Sequence, residues 1–231
     1  MDEAQSDWHE FASRGELAAA LGRKVASLLG DAIAERGEAR LAVSGGTTPR
    51  LFFHALSREK LDWSKVTVTL VDERAVPPDS PRSNQGLVTE TLLRNEAAAA
   101  KFIGLYTPGD LPGAARRASD AISKALPLDM AVLGMGTDGH TASFFPDADN
   151  LEELLDPNSP AKVLAVNAPS GVEPRLTLAL ARIVEAGFVA LHIEGQEKRT
   201  VLESALGQAA RLPVRAVFDH APAPVQVFWA P

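Results

Sequence analysis

One repeated pattern restricts the fold more than any other feature. A short apolar run ends abruptly in glycine or charge, and a helical stretch follows. Leu41-Ala42-Val43 runs into Ser44-Gly45-Gly46-Thr47-Thr48-Pro49, after which Leu51 to Leu56 reads as helix. Val66-Thr67-Val68-Thr69-Leu70-Val71 stops at Asp72-Glu73-Arg74, and a proline-rich loop leads to a helix from about Asn84 to Asn95. Met130-Ala131-Val132-Leu133 enters Gly134-Met135-Gly136-Thr137-Asp138-Gly139-His140. Strands alternating with helices imply a mostly parallel sheet covered on both faces. In such sheets ligands bind at the carboxyl ends of the strands, where these loops must lie.

The remaining chain fits the same scheme. Leu17, Leu21, Val25, Leu28, Leu29 and Ile33 recur at helical spacing between Glu16 and Arg36, and Gly37 offers a stop. Further strands are expected at Phe102 to Tyr106, Val163 to Val166, Leu176 to Leu180, Phe188 to Ile193 and Val225 to Trp229. Helices are expected at Ala114 to Ala125 and Glu197 to Leu206. With 231 residues, 45% of them hydrophobic, and neither an internal repeat nor a convincing linker, the chain is read as one α/β domain over residues 1–231.

Composition removes several classes of function. A formal charge of -7 argues against nucleic acid as a main partner, so an anionic substrate would have to meet locally concentrated positive charge. The lack of cysteine excludes disulfides, thiolate zinc sites and a cysteine nucleophile. Met1 to Phe11 has neither the basic start nor the apolar run of a signal peptide, and no stretch reaches the roughly 18 apolar residues of a membrane helix. A cytoplasmic protein without a membrane partner is expected, acting as a monomer or a small homo-oligomer.

Four places carry possible chemistry. In Ser44 to Pro49 the glycines let backbone approach a ligand and the following helix supplies unpaired N–H groups, which suits a phosphate. The plainer reading is a helix cap, with Thr48 at the cap and Pro49 at the first helical position. Asp72-Glu73-Arg74 sets three charges at a strand end, where burial without partners is costly. Arg74 stays protonated, so it can bind phosphate or stabilise an oxyanion but cannot act as a base.

His140, in a glycine-rich loop after Asp138, could activate water as a neutral imidazole. His9, His54, His192 and His220 lack such a setting and read as structural or surface residues. Gly134 to Gly139 fits G-x-G-x-x-G literally, but Phe144-Phe145-Pro146 interrupts the helix that a dinucleotide site needs. No second histidine stands at metal-ligand spacing from His140, and Ser44 and Ser143 lack a G-x-S-x-G elbow. No metal or cofactor is expected. Arg175 and Lys198, each at an element boundary, would read alone as solvated surface charges.

Five segments in this order resemble the 6-phosphogluconolactonase family: Ser44 to Pro49; Asp72-Glu73-Arg74 with Ser83-Asn84; Gly136-Thr137-Asp138-Gly139-His140-Thr141-Ala142-Ser143; Arg175-Leu176-Thr177; and Gly195 to Lys198. The third is the most specific. The resemblance implies hydrolysis of 6-phospho-D-glucono-1,5-lactone, the second step of the oxidative pentose phosphate pathway, without metal or nucleotide. It also implies a three-layer α/β/α fold shared with glucosamine-6-phosphate deaminases and ribose-5-phosphate isomerases.

Carried over residue by residue, the pattern implies a 6-phosphate on the backbone of Gly45, Gly46 and Thr47, near the Ser44 and Thr48 hydroxyls and neutralised by Arg175 and Lys198. His140 is the expected general base and Arg74 the oxyanion stabiliser, with Asp72 or Asp138 orienting His140. Two departures separate the chain from the deaminases. Phe145 stands before Pro146 where they carry a catalytic glutamate, and Asp72-Glu73-Arg74 replaces their Asp-Glu-Tyr. A non-catalytic sugar-phosphate sensor is the third class, but no fused helix-turn-helix fits before Glu16.

Overall fold

The computed structural model describes residues 6–207 and 212–231. The first five residues of the stretch read against a signal peptide, Met1 to Gln5, lie outside that range. Strand β1 (Ser6–Glu10) leads to helix α1 (Arg14–Arg36). The Ser13 hydroxyl accepts from the Glu16 N–H at the start of α1, two residues before the expected start at Glu16, and the Gly37 N–H donates to Ile33 O at its end, where the stop was expected. Then come β2 (Ala39–Val43), α2 (Arg50–Leu56), β3 (Val66–Leu70), β4 (Asp72–Arg74), α3 (Asn84–Thr91) and β5 (Lys101–Ile103). The second half holds α4 (Leu111–Ile122), β6 (Met130–Leu133), α5 (Leu151–Leu154), β7 (Val163–Val166) and β8 (Arg175–Leu178). It closes with α6 (Leu180–Val184), β9 (Phe188–Glu194), α7 (Gln196–Leu206), α8 (Arg215–His220) and β10 (Val225–Ala230).

Seven strands form one parallel sheet in the order β1-β10-β9-β6-β2-β3-β5, with helices on both sides. This is the three-layer α/β/α arrangement that the alternation of elements implies. At its centre β2 pairs with β3 on one side and β6 on the other, Leu41 facing both Val68 and Met130 in register. After β2 the chain moves outward to β3 and β5, then returns across β2 to lay down β6. The loops leaving β2 and β6 therefore diverge, and a crevice opens at the carboxyl ends of these two neighbouring strands.

Several sequence expectations are corrected. Ser6–Glu10 pairs in parallel with β10, although its polar residues give no strand signal: as an edge strand it buries little. The run ending at Val71 does not carry Asp72-Glu73-Arg74 on its own tip. The chain leaves the large sheet there, and Asp72–Arg74 pairs antiparallel with β8 in a second sheet of order β4-β8-β7. Val163 to Val166 and the strand expected at Leu176 to Leu180 thus belong outside the parallel sheet, and the latter runs from Arg175 to Leu178. The strand expected at Phe102 to Tyr106 is Lys101–Ile103, pairing with β3 alone among the described residues, and the helix expected to Asn95 ends at Thr91 before a 3-10 turn at Asn95–Ala99. Among the described residues, no helix is long and apolar enough to cross a membrane.

Candidate active site

The crevice between β2 and β6 deepens into a cavity of about 220 Å³. Ser44 to Thr48, Asp72, Arg74, His140, Arg175 and Lys198 all line it, although they come from strands and loops spread over 155 positions of the chain. Ser44 anchors one wall: its N–H donates to Val132 O (2.9 Å), and its hydroxyl accepts from Gly134 N–H (3.2 Å). Among the described residues, the N–H groups of Gly45, Gly46, Thr47 and Thr48 have no intramolecular acceptor. The helix-cap reading of this loop fails. Pro49 occupies the cap position without a side-chain hydrogen bond, and the Thr48 hydroxyl instead accepts from Lys198 Nζ at 3.4 Å. Burial of the Lys198 ammonium pulls its pKa below the ordinary 10.5, against the opposing pull of Glu194 and Glu197.

The opposite wall is the loop after β6. Gly136 N–H donates to His140 O (2.9 Å) and Gly139 N–H to Gly136 O (3.1 Å), closing a tight turn with Gly139 in the left-handed region at φ 77°. His140 Nδ1 lies 2.5 Å from Asp138 Oδ1, which also accepts from the His140 N–H at 3.2 Å. This pair rests on Gly136, where a Cβ would stand 2.3 Å from the imidazole and 2.5 Å from the carboxylate. No helix follows this loop until α5, as the interrupted G-x-G-x-x-G pattern implies.

Asp72, left as an alternative partner of His140, faces elsewhere. Its Oδ2 accepts from the buried Ser143 hydroxyl (2.6 Å) and lies 3.8 Å from Arg175 Nη1. Arg175 also donates from Nη2 to Gly171 O (2.9 Å), and its guanidinium sits 5.2 Å over the Phe145 ring. Burial pulls the Arg175 pKa down while the Asp72 carboxylate opposes the shift. Phe145 also packs on His140, ring centroids 4.5 Å apart, so one apolar ring touches both the imidazole and the guanidinium.

Three side chains acquire places that their sequence context did not reveal. Glu73, fully buried, accepts from the backbone N–H groups of Arg74 (2.7 Å), Asn84 (2.8 Å) and Gln85 (2.7 Å) and from the Ser83 hydroxyl (3.0 Å). Burial pushes its carboxyl pKa up from 4.5, and these four donors oppose the shift. Its position before Ser83-Asn84 gave only a charge count. Asn84 donates from Nδ2 to Asp72 O (2.9 Å) and accepts at Oδ1 from Arg74 Nη1 (2.8 Å). His192, read as structural, lines the cavity beside Lys198. Among the described residues, no three His, Asp or Glu side chains gather as metal ligands.

Residues 12–229 match the family described as glucosamine-6-phosphate isomerases/6-phosphogluconolactonase. A 6-phosphogluconolactonase of Mesorhizobium japonicum is 58% identical over 230 residues, covering 99% of this chain and 97% of that protein. One from Rhizobium meliloti is 50% identical over 230 residues, covering 98% and 99%. A crystal structure of a 6-phosphogluconolactonase from Shewanella baltica superposes with a TM-score of 0.94 at 38% identity, covering 98% of each chain. A monomeric glucosamine-6-phosphate deaminase at 22% identity shares the fold with a TM-score of 0.78, covering 97% of each chain. The chain belongs to the family of glucosamine-6-phosphate isomerases and 6-phosphogluconolactonases.

Proposed function

We propose that this protein hydrolyses 6-phospho-D-glucono-1,5-lactone to 6-phospho-D-gluconate. The observation that carries the reading is one cavity with an anion-binding loop and Lys198 on one wall and an Asp138-held His140 on another. The names of the relatives at 50% and 58% identity point the same way.

The phosphate is held by the unpaired N–H groups of Gly45, Gly46 and Thr47, with the Ser44 and Thr48 hydroxyls and the Lys198 ammonium around it. Arg175 adds positive charge to the same cavity. With Asp138 accepting the Nδ1 proton, His140 keeps its Nε2 lone pair for a water molecule attacking the C1 carbonyl. Arg74 faces the oxyanion that develops as the carbonyl becomes tetrahedral. Collapse breaks the bond from C1 to the ring oxygen, and the proton taken by His140 passes to that oxygen. A base of this kind contributes roughly 10²–10⁴-fold, and positioning adds to it. Phe145 offers no carboxylate for the amino-sugar relay, which leaves ester hydrolysis as the chemistry these groups can perform.

Proton release from freshly generated lactone, followed with and without the protein, tests the activity; no acceleration over the spontaneous rate would sink it. Full activity in His140→Asn would remove the general-base role. An unchanged KM in both Arg175→Ala and Lys198→Ala would remove the phosphate role of these two cations.

A further inference from the structure

His192 is only 2% exposed, yet neither ring nitrogen has a hydrogen-bond partner among the described residues. Leaving a buried polar group unpaired costs about 1–3 kcal/mol, so such a residue in a folded protein calls for a partner that arrives later. It stands near the carboxyl end of β9, one edge toward the Phe52 ring (centroids 6.2 Å apart, 84° between planes), and lines the same cavity as Thr48 and Lys198. Its Nε2 lies 3.3 Å from Glu194 Oε1 but off the line of a hydrogen bond.

The surroundings decide which way the ring can serve. The Glu194 carboxylate only accepts, so a small turn of the ring that closes this contact places the proton on Nε2. Glu194 already faces two cations, Arg14 Nε at 3.4 Å and the nearby Lys198 ammonium. The tautomer that donates from Nε2 to Glu194 presents Nδ1 to the cavity as an acceptor. Unprotonated phosphate oxygens only accept and cannot satisfy it, whereas a sugar hydroxyl can donate to it.

We propose that His192 is a substrate-recognition residue: its imidazole bridges Glu194 and a hydroxyl of the bound sugar phosphate, so that the cavity reads the hydroxylated chain as well as the phosphate. The inference rests on the sugar-phosphate reading of this cavity.

Calorimetric titration with 6-phosphogluconate and, separately, with inorganic phosphate tests it on wild type, His192→Phe and His192→Asn. Phenylalanine fills the space without an acceptor, while the asparagine carbonyl stands near the position of Nδ1. The expected result for His192→Phe is a loss of about 5–20-fold in affinity for 6-phosphogluconate, the worth of one hydrogen bond, with phosphate affinity within twofold of wild type. His192→Asn should recover most of the loss, and lactone hydrolysis in His192→Phe should show a raised KM with little change in kcat. Equal weakening of both ligands would place His192 on the anion and overturn the inference, as would unchanged binding of both. Wild type that binds neither ligand and hydrolyses no lactone would overturn the sugar-phosphate reading itself. Wild type that binds both, with His192→Phe unaltered, would overturn only the role of His192.

Discussion

Asn84 Oδ1 accepts a 2.8 Å hydrogen bond from Arg74 Nη1 and fills the space that a Cβ on Gly45 would need, the gap being only 1.9 Å. One carboxamide thus links the guanidinium proposed for the oxyanion to the loop proposed for the phosphate. Asn84→Ala leaves Arg74 Nη1 held only by the Arg82 carbonyl (2.6 Å) among the described residues and should lower kcat/KM about 10- to 100-fold, the range for a hydrogen bond to a charged group. Gly45→Ala should be comparably damaging because the new methyl collides with the carboxamide. Removing Asn84 relieves that collision, so the double variant should lose clearly less than the two single losses combined. Steady-state kinetics on the four proteins checks this; strict additivity would mean that the two residues act separately.

The contact between Asp138 and His140 carries the second prediction. An asparagine at 138 can donate an N–H to His140 Nδ1 and so favour the tautomer whose Nε2 bears the proton and cannot take one from water. Asp138→Asn should lower kcat by about 10²-fold with little change in KM. Asp72→Asn should behave differently, because that carboxylate contacts Ser143 and Arg175 rather than the imidazole. A larger kcat loss in Asp72→Asn than in Asp138→Asn would reverse the assignment.

The sequence made the central crevice legible because its strands are apolar on both faces and stop at glycine or charge. Val43, Leu70 and Leu133 are all buried strand ends, and the loops beside Val43 and Leu133 supply both walls. Ser6–Glu10 stayed hidden because an edge strand needs no apolar alternation. The separate sheet stayed hidden because the turn at Val71 follows from the pairing of Asp72–Arg74 with Arg175–Thr177, a contact a hundred residues away in the chain. Within the site, His140 and the glycines are written in a local pattern. Asn84 reads as an ordinary helix start and His192 as one polar residue in a core strand, since their meaning lies in what other segments bring to them. The choice between Asp72 and Asp138 was open for the same reason.

The half-buried Lys198 ammonium predicts a pH effect. Its pKa is lowered from 10.5, so in the free protein it loses its proton at a lower pH than an ordinary lysine. A bound phosphate favours the charged form and holds that proton more tightly. Affinity for 6-phosphogluconate should therefore fall as pH rises, and the fall should begin at a lower pH than an ordinary lysine would give. Lys198→Arg keeps its charge over this range and should show a flatter profile whatever its absolute affinity. Calorimetry across alkaline pH reads both slopes, and parallel profiles would remove Lys198 from the anion site.

Phe145 provides the sharpest comparison between the two chemistries of the family. It is 3% exposed and packs on both the His140 ring and the Arg175 guanidinium, so it supports both. Phe145→Ala should cost about 3–5 kcal/mol of stability, as expected for emptying a buried aromatic site, and should lower lactone hydrolysis as the imidazole and guanidinium lose their common support. Phe145→Glu brings the carboxylate that the amino-sugar reaction requires, but sets it against Arg175, where the resulting ion pair occupies both groups. The expected outcome is reduced lactone hydrolysis and no ammonia release from glucosamine 6-phosphate above background. Ammonia release by Phe145→Glu would mean that this position alone separates deamination from hydrolysis, and that Arg74, in place of the deaminase tyrosine, has no part in the separation.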